Sequence, residues 1–118
     1  MSGKVRRTPD YLAHMVEAIS RIADYVKDLD RSAFERDTRT QDAVIRNLEI
    51  VGEAARNILD NDPAFAAAHP DIPWAVAYRM RNALSHGYAD INLTTVWSTV
   101  QQDLPELQRK LSELLGGT

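Results

Sequence analysis

Cysteine is absent from the sequence, which excludes disulfides and thiolate metal sites. A reducing compartment suits such a chain, and a cytoplasmic location is the expectation. Also absent is any apolar run long enough to span a bilayer. The opening stretch MSGKVRRTPDYLAHMVEAIS carries basic residues but no uninterrupted apolar core, so neither a signal peptide nor a membrane partner is expected. Positive charge is not in excess: 14 Lys and Arg stand against 17 Asp and Glu, a formal net charge of −3. General nucleic-acid binders are usually basic, so any contact with RNA must be local, at a small arginine-lined cleft. No internal repeat, low-complexity tract or linker breaks the chain, and one domain over residues 1–118 is expected.

What the sequence does contain is apolar and charged residues in helical order. It is 44% hydrophobic and 26% charged, which suits a soluble globular fold with a modest core and argues against disorder. Eleven of the 14 basic residues are arginine. Arginine favours forked contacts to carboxylate or phosphate, although arginine-rich surfaces also follow from nucleotide composition.

Four amphipathic helices are predicted. The first starts at TPDY, with Thr8 able to cap, Pro9 suited to the first helical position and Asp10 to the positive end of the dipole. Leu12, Met15, Ile19, Ile22, Val26 and Leu29 then form a narrow apolar seam. A short helical turn is expected around Phe34. The second helix runs from about Thr40 to Leu59 on the seam Val44, Leu48, Val51, Ala55 and Ile58. Gly52 sits inside it at a cost of about 1 kcal/mol relative to alanine, which close backbone packing would explain. Pro63, Pro70 and Pro73 punctuate a connector with a short helix in AFAAA. A third helix is predicted from Pro73 and Trp74 to about Ser85, ended by Gly87. Asn92 caps a fourth, whose apolar residues run from Leu93 to Leu114, with a bend expected at Pro105. The fold class is all-α, an antiparallel up-and-down four-helix bundle.

Three histidines are candidates for chemistry. His14 lies off the first seam and His69 lies in the connector; neither has partners at metal-ligand spacing, so no metal site is expected. His86 is set differently, in the stretch RNALSHGY at the end of the third helix. A helix C-terminus favours the imidazolium, which suits acid–base work near neutral pH. It equally suits a histidine that caps the last carbonyls. Arg81 stands five residues earlier, about 140° around an ideal helix. It shares a face with His86 only if the helix ends near Ser85 or a second subunit supplies one of them. Alternatively Arg81 pairs with Glu49 or Glu53. Asn82 and Ser85 are candidates for supporting bonds, and Tyr88 either packs over the turn or presents its hydroxyl. On the second helix Asp42, Arg46, Glu49, Glu53, Arg56 and Asp60 fall within roughly 40° of one line. That stripe reads either as a solvated, ion-paired face or as the wall of a charged cleft beside residues 81–88.

RNALSHGY matches R-x-x-x-x-H-x-Y, and here the sequence resembles the HepT-like toxins of the HEPN superfamily. QDAVIRNLEIVGEAARNI resembles that family's second long helix, and IPWAVAYRMRNALSHGYADINLTTVWSTVQQDLPEL its second half, so the resemblance spans nearly the whole chain. It implies a homodimeric HEPN bundle and a metal-independent endoribonuclease that needs no cofactor. Arg81 and His86 match the catalytic pair. Tyr88 matches the tyrosine that an MntA-like nucleotidyltransferase antitoxin modifies with AMP, as in type VII-like HepT/MntA toxin–antitoxin systems. Asn82, Glu49, Glu53 and Arg46 are possible supporting residues outside the motif. The alternative is a non-catalytic helical partner that docks a minimal nucleotidyltransferase; a purely structural dimerisation bundle is a third reading.

Overall fold

The computed structural model describes residues 7–78 and 92–116, and among these the regular structure is entirely helical. Helix α1 spans Thr8–Val26. Pro9 occupies its first turn, as expected, and Asp10 accepts a hydrogen bond from the Arg7 backbone N–H at 3.0 Å. The cap position belongs to Arg7 rather than Thr8. The Thr8 hydroxyl instead donates to Asp62 at 2.6 Å. Asp62 closes helix α3, Thr38–Asn61, so this bond ties the start of one long helix to the end of the other and makes the pair antiparallel. α1 ends three residues before Leu29, which is only half-buried.

Between them the short helix α2, Arg31–Glu35, forms around Phe34 as its sequence suggests. Asp30 caps it by accepting from the Ala33 N–H at 2.8 Å. Asp37 does the same for α3, accepting from the Thr40 N–H at 3.0 Å and the Thr40 hydroxyl at 2.7 Å. α3 is more deeply embedded than its apolar seam indicates. Ile45, Asn47, Gly52 and Ala54 are buried beside Val44, Leu48, Val51, Ala55 and Ile58, an arc of roughly 180° on a helical projection.

Helix α4, Pro63–Ala68, is capped by Asp62 and fills the AFAAA stretch. Residues 74–78 are helical and form α5. Trp74 anchors them: its ring is buried and its Nε1–H is shared between the carbonyls of Ala66 and His69, each at 3.1 Å. The predicted continuation through Met80 and Leu84 to Gly87 lies outside the described residues.

The last helix comes in three pieces: α6 at Leu93–Ser98, a π-helical turn at Thr99–Asp103, and α7 at Leu104–Gly116. Asn92 caps α6 as expected, accepting from the Thr95 N–H at 3.1 Å. The wider turn accounts for Pro105. Ring closure leaves proline without an N–H, so it suits the start of a helix and not its middle. The π turn ends just before it, and Pro105 becomes the second residue of α7. A change of winding thus accompanies Pro105 in the last helix. The core forms around α1, which packs against both α3 and α7, with Met15, Ile22, Phe34, Val44, Val51, Ala55, Ile58 and Leu111 fully enclosed. Each large apolar side chain buried this way contributes about 1.5–3 kcal/mol.

Candidate functional site

The motif residues Arg81, Asn82, His86 and Tyr88 lie outside the described residues. The structure does describe the two chain ends that flank them and the stripe on α3. At the leading end, the Tyr78 ring lies under the Arg56 guanidinium, whose carbon is 5.9 Å from the ring centroid. Such a cation–π contact is worth about 0.5–1 kcal/mol at an exposed site. At the trailing end, α6 is fastened to α2. The Arg31 guanidinium donates to the Thr94 hydroxyl at 2.8 Å, and the Phe34 and Trp97 rings pack with centroids 5.2 Å apart. Two aromatic contacts and one arginine bond therefore fix both ends of the segment that carries the motif.

Nothing in the sequence singles out Tyr78, Arg31, Thr94 or Trp97 as a group. Their one legible signal is position: Tyr78 stands three residues before Arg81, and Thr94 six after Tyr88.

The α3 stripe is a surface, as its pattern requires. Asp42, Arg46, Glu53, Arg56 and Asp60 are exposed and Glu49 is half-buried. The anticipated neighbour pairs form: Arg46 with Glu49 at 3.7 Å and Arg56 with Asp60 at 3.4 Å. Both are long for charge-assisted bonds, and exposed pairs of this kind contribute between about 0 and 1 kcal/mol. Glu53 is also engaged in an interaction of its own. Arg46 points outward, with 71% of its side chain exposed. The stripe can therefore trade partners at little cost, which a rigid buried ion pair cannot do.

The other two histidines have local partners. His14 is half-buried, with the Tyr11 ring edge-on at 6.5 Å. His69 follows α4 and packs its ring 4.5 Å from that of Phe65. Among the described residues no three histidine or carboxylate side chains converge as metal ligands would. Also among these residues, no helix is long and apolar enough to cross a membrane.

Comparison with known proteins places this arrangement. The family profile described as ribonuclease HepT-like matches residues 15–114. A protein of Thermococcus cleftensis, described as a probable ribonuclease HepT, is 42% identical over 109 residues, covering 92% of this chain and 96% of its own length. A candidate RNase of Caldanaerobacter subterraneus is 32% identical over 110 residues, covering 92% and 96%. A candidate RNase of Methanocaldococcus jannaschii is 32% identical over 105 residues, covering 89% and 84%. No solved structure gives a significant match. With the profile matching residues 15–114, the chain belongs to the ribonuclease HepT-like family of the HEPN superfamily.

Proposed function

We propose that this protein is a metal-independent endoribonuclease and the toxin of a toxin–antitoxin pair, with Arg81 and His86 as its catalytic residues. The observation that carries the reading is the ungapped R-x-x-x-x-H-x-Y motif at residues 81–88, inside a chain 42% identical to a probable ribonuclease HepT. Cleavage of RNA without a metal needs a base to take the proton from the ribose 2′-hydroxyl. The resulting oxygen attacks phosphorus, and an acid protonates the leaving 5′-oxygen. His86 serves as base, a role typically worth about 10²–10⁴-fold. Arg81 holds the phosphate with its fork and stabilises the charge that builds in the transition state.

One histidine is poorly suited to act as base and acid in a single turnover. A twofold homodimer sets two copies of Arg81 and His86 around one cleft and supplies both roles. The charged stripe with Arg46, Glu49 and Glu53 forms a wall of that cleft, and Asn82 supports it. Tyr88 is the acceptor for AMP from a nucleotidyltransferase antitoxin of the MntA type. The modification adds a negative phosphodiester and a large base two residues from His86, blocking the cleft and repelling RNA. The protein acts in the cytoplasm as one domain spanning residues 1–118.

Expression of the chain alone, with and without His86→Ala, tests the reading. The parent arrests growth and the purified protein cuts RNA; the variant melts at the same temperature but does neither. A parent that is harmless and leaves RNA intact would refute the proposal. Mixed dimers with His86→Ala in one subunit lose cleavage if the site is shared. Tyr88→Phe keeps nuclease activity and escapes the antitoxin, and AMP found on that variant at the parental level would exclude Tyr88 as the acceptor.

A further inference from the structure

With a formal net charge of −3, this chain must gather any RNA contact onto a limited surface. The ion pairs show where such a surface is available. Arg21, Arg31, Arg46, Arg56 and Arg109 are each paired with a carboxylate on their own helix. Arg36 and Arg39 are exposed, and neither forms an ion pair with a described carboxylate. They flank the α2–α3 corner. Arg36 donates to the Ser32 hydroxyl at 2.7 Å, and Arg39 lies in the first turn of α3.

The acids of this corner are occupied. Asp30 and Asp37 cap α2 and α3 through backbone N–H groups, Arg39 lies close enough to Asp37 to help stabilise its charge without pairing with it, and Glu35 takes Arg31 at 2.8 Å. Asp42, one turn along α3, is exposed. Arg7 is likewise unpaired, but it precedes Thr8, whose bond to Asp62 puts it at the opposite end of α3. The corner is also fastened to α6, which follows the motif segment, through Arg31 and Thr94.

We infer that the α2–α3 corner, through Arg36 and Arg39, holds the sugar–phosphate backbone of the RNA beyond the scissile bond. This rests on the ribonuclease reading and adds a binding surface to it. Both guanidiniums have donors to spare for phosphate oxygens. The contact is independent of base identity, since phosphates carry no sequence information.

The test is a fluorescence titration of the full chain with a short 2′-O-methyl RNA, which lacks the nucleophile and is not cut. Affinity is measured across a salt series. Arg36→Gln with Arg39→Gln weakens binding by about five-fold or more and lowers the salt slope by about 1.4, since each single-strand phosphate contact contributes about 0.7. Arg36→Lys with Arg39→Lys keeps the slope, which separates lost charge from a misfolded corner. Asp42→Asn tightens binding, and Arg21→Gln on α1 leaves it unchanged. The inference is overturned if the doubly substituted glutamine variant binds like the parent, or if Arg21→Gln weakens binding as much. Cleavage of unmodified RNA by the parent is measured alongside. A parent that cuts RNA while the glutamine variant binds normally removes only the corner. A parent that neither binds nor cuts RNA removes the ribonuclease reading and the corner with it.

Discussion

Asn47 is a polar side chain in an otherwise apolar stretch of α3, only 5% exposed. Its Nδ2 donates to the Ala43 carbonyl at 2.9 Å, but its Oδ1 is buried with no hydrogen-bond partner among the described residues. An orphaned buried acceptor costs about 1–3 kcal/mol. Asn47→Leu removes that acceptor with a side chain of similar shape and a helix propensity better by a few tenths of a kcal/mol. The lost Nδ2 bond is worth about 0.5–1.5 kcal/mol, and Ala43 O keeps the backbone N–H of its own helix. The extra volume of leucine takes back part of the gain. The sum is a variant about 1 kcal/mol more stable, or about 3–6 °C in Tm for a chain of this size.

Urea unfolding followed by circular dichroism measures it, at one fixed protein concentration because assembly shifts apparent stability. The midpoint rises while the m-value stays the same. Asn47→Asp at the same site places a charge where a donor is already lacking, and loses about 3 kcal/mol or more. If Asn47→Leu instead loses about 1 kcal/mol or more, Oδ1 has a partner in the folded protein and the reasoning is wrong.

Phe34→Ala empties a fully enclosed site and releases the Trp97 ring; it costs about 3–5 kcal/mol and lowers RNA cleavage, as read by urea midpoint and nuclease assay. Asp37 offers a pH test. Its carboxyl is held below the ordinary aspartate value by the Thr40 hydroxyl first, then by the Thr40 N–H, with Arg39 adding to the effect. The unfolded chain therefore takes up this proton at higher pH than the folded one. The stability Asp37 adds over Asp37→Asn is present at neutral pH, fades as pH falls below the ordinary aspartate range and is lost as it passes through the folded value. Urea midpoints of both proteins from about pH 6 to about pH 3 show a narrowing gap. If Arg81 and His86 supply the chemistry as proposed, a chelator leaves the rate of RNA cleavage unchanged; loss of activity restored by a divalent cation would exclude that mechanism.

Helices were legible where apolar residues recur at spacings of three and four. The seams of α1 and α3 reappear as buried faces, and the short helices around Phe34 and AFAAA form. The depth of α3 was less legible: Asn47 and Gly52 carry no apolar side chain, and Ile45 and Ala54 stand beside the seam and off its spacing, so half a circumference looked like a narrow seam. Thr8 shows a different limit. A threonine before a proline has the pattern of a cap, but its hydroxyl takes a partner 54 residues away, which no local pattern encodes. The candidate catalytic residues came from the motif and its resemblance to a family, since helix geometry alone left Arg81 and His86 about 140° apart. The anchors at either side, Arg56 with Tyr78 and Arg31 with Thr94, are tertiary contacts that spacing does not record.

The π turn between α6 and α7 sets a rotational phase. Val96, Val100 and Leu104 follow one another at intervals of four, one residue more in two turns than the alternation of three and four that ordinary winding produces, and all three are buried. Removing one residue from Thr99–Asp103 would let ordinary winding replace the π turn: seven residues at about 100° each make roughly 700°, within about 20° of two full turns, so α6 would keep its face toward the core. Trp97 would stay against Phe34, and Thr94 near Arg31. The wide turn thus absorbs its extra residue locally and keeps the trailing anchor of the motif segment in phase with α7. Substitutions at its exposed positions Gln101, Gln102 and Asp103 leave that phase intact, and so does a single deletion, whereas one further inserted residue would turn α6 by about 100° relative to α7.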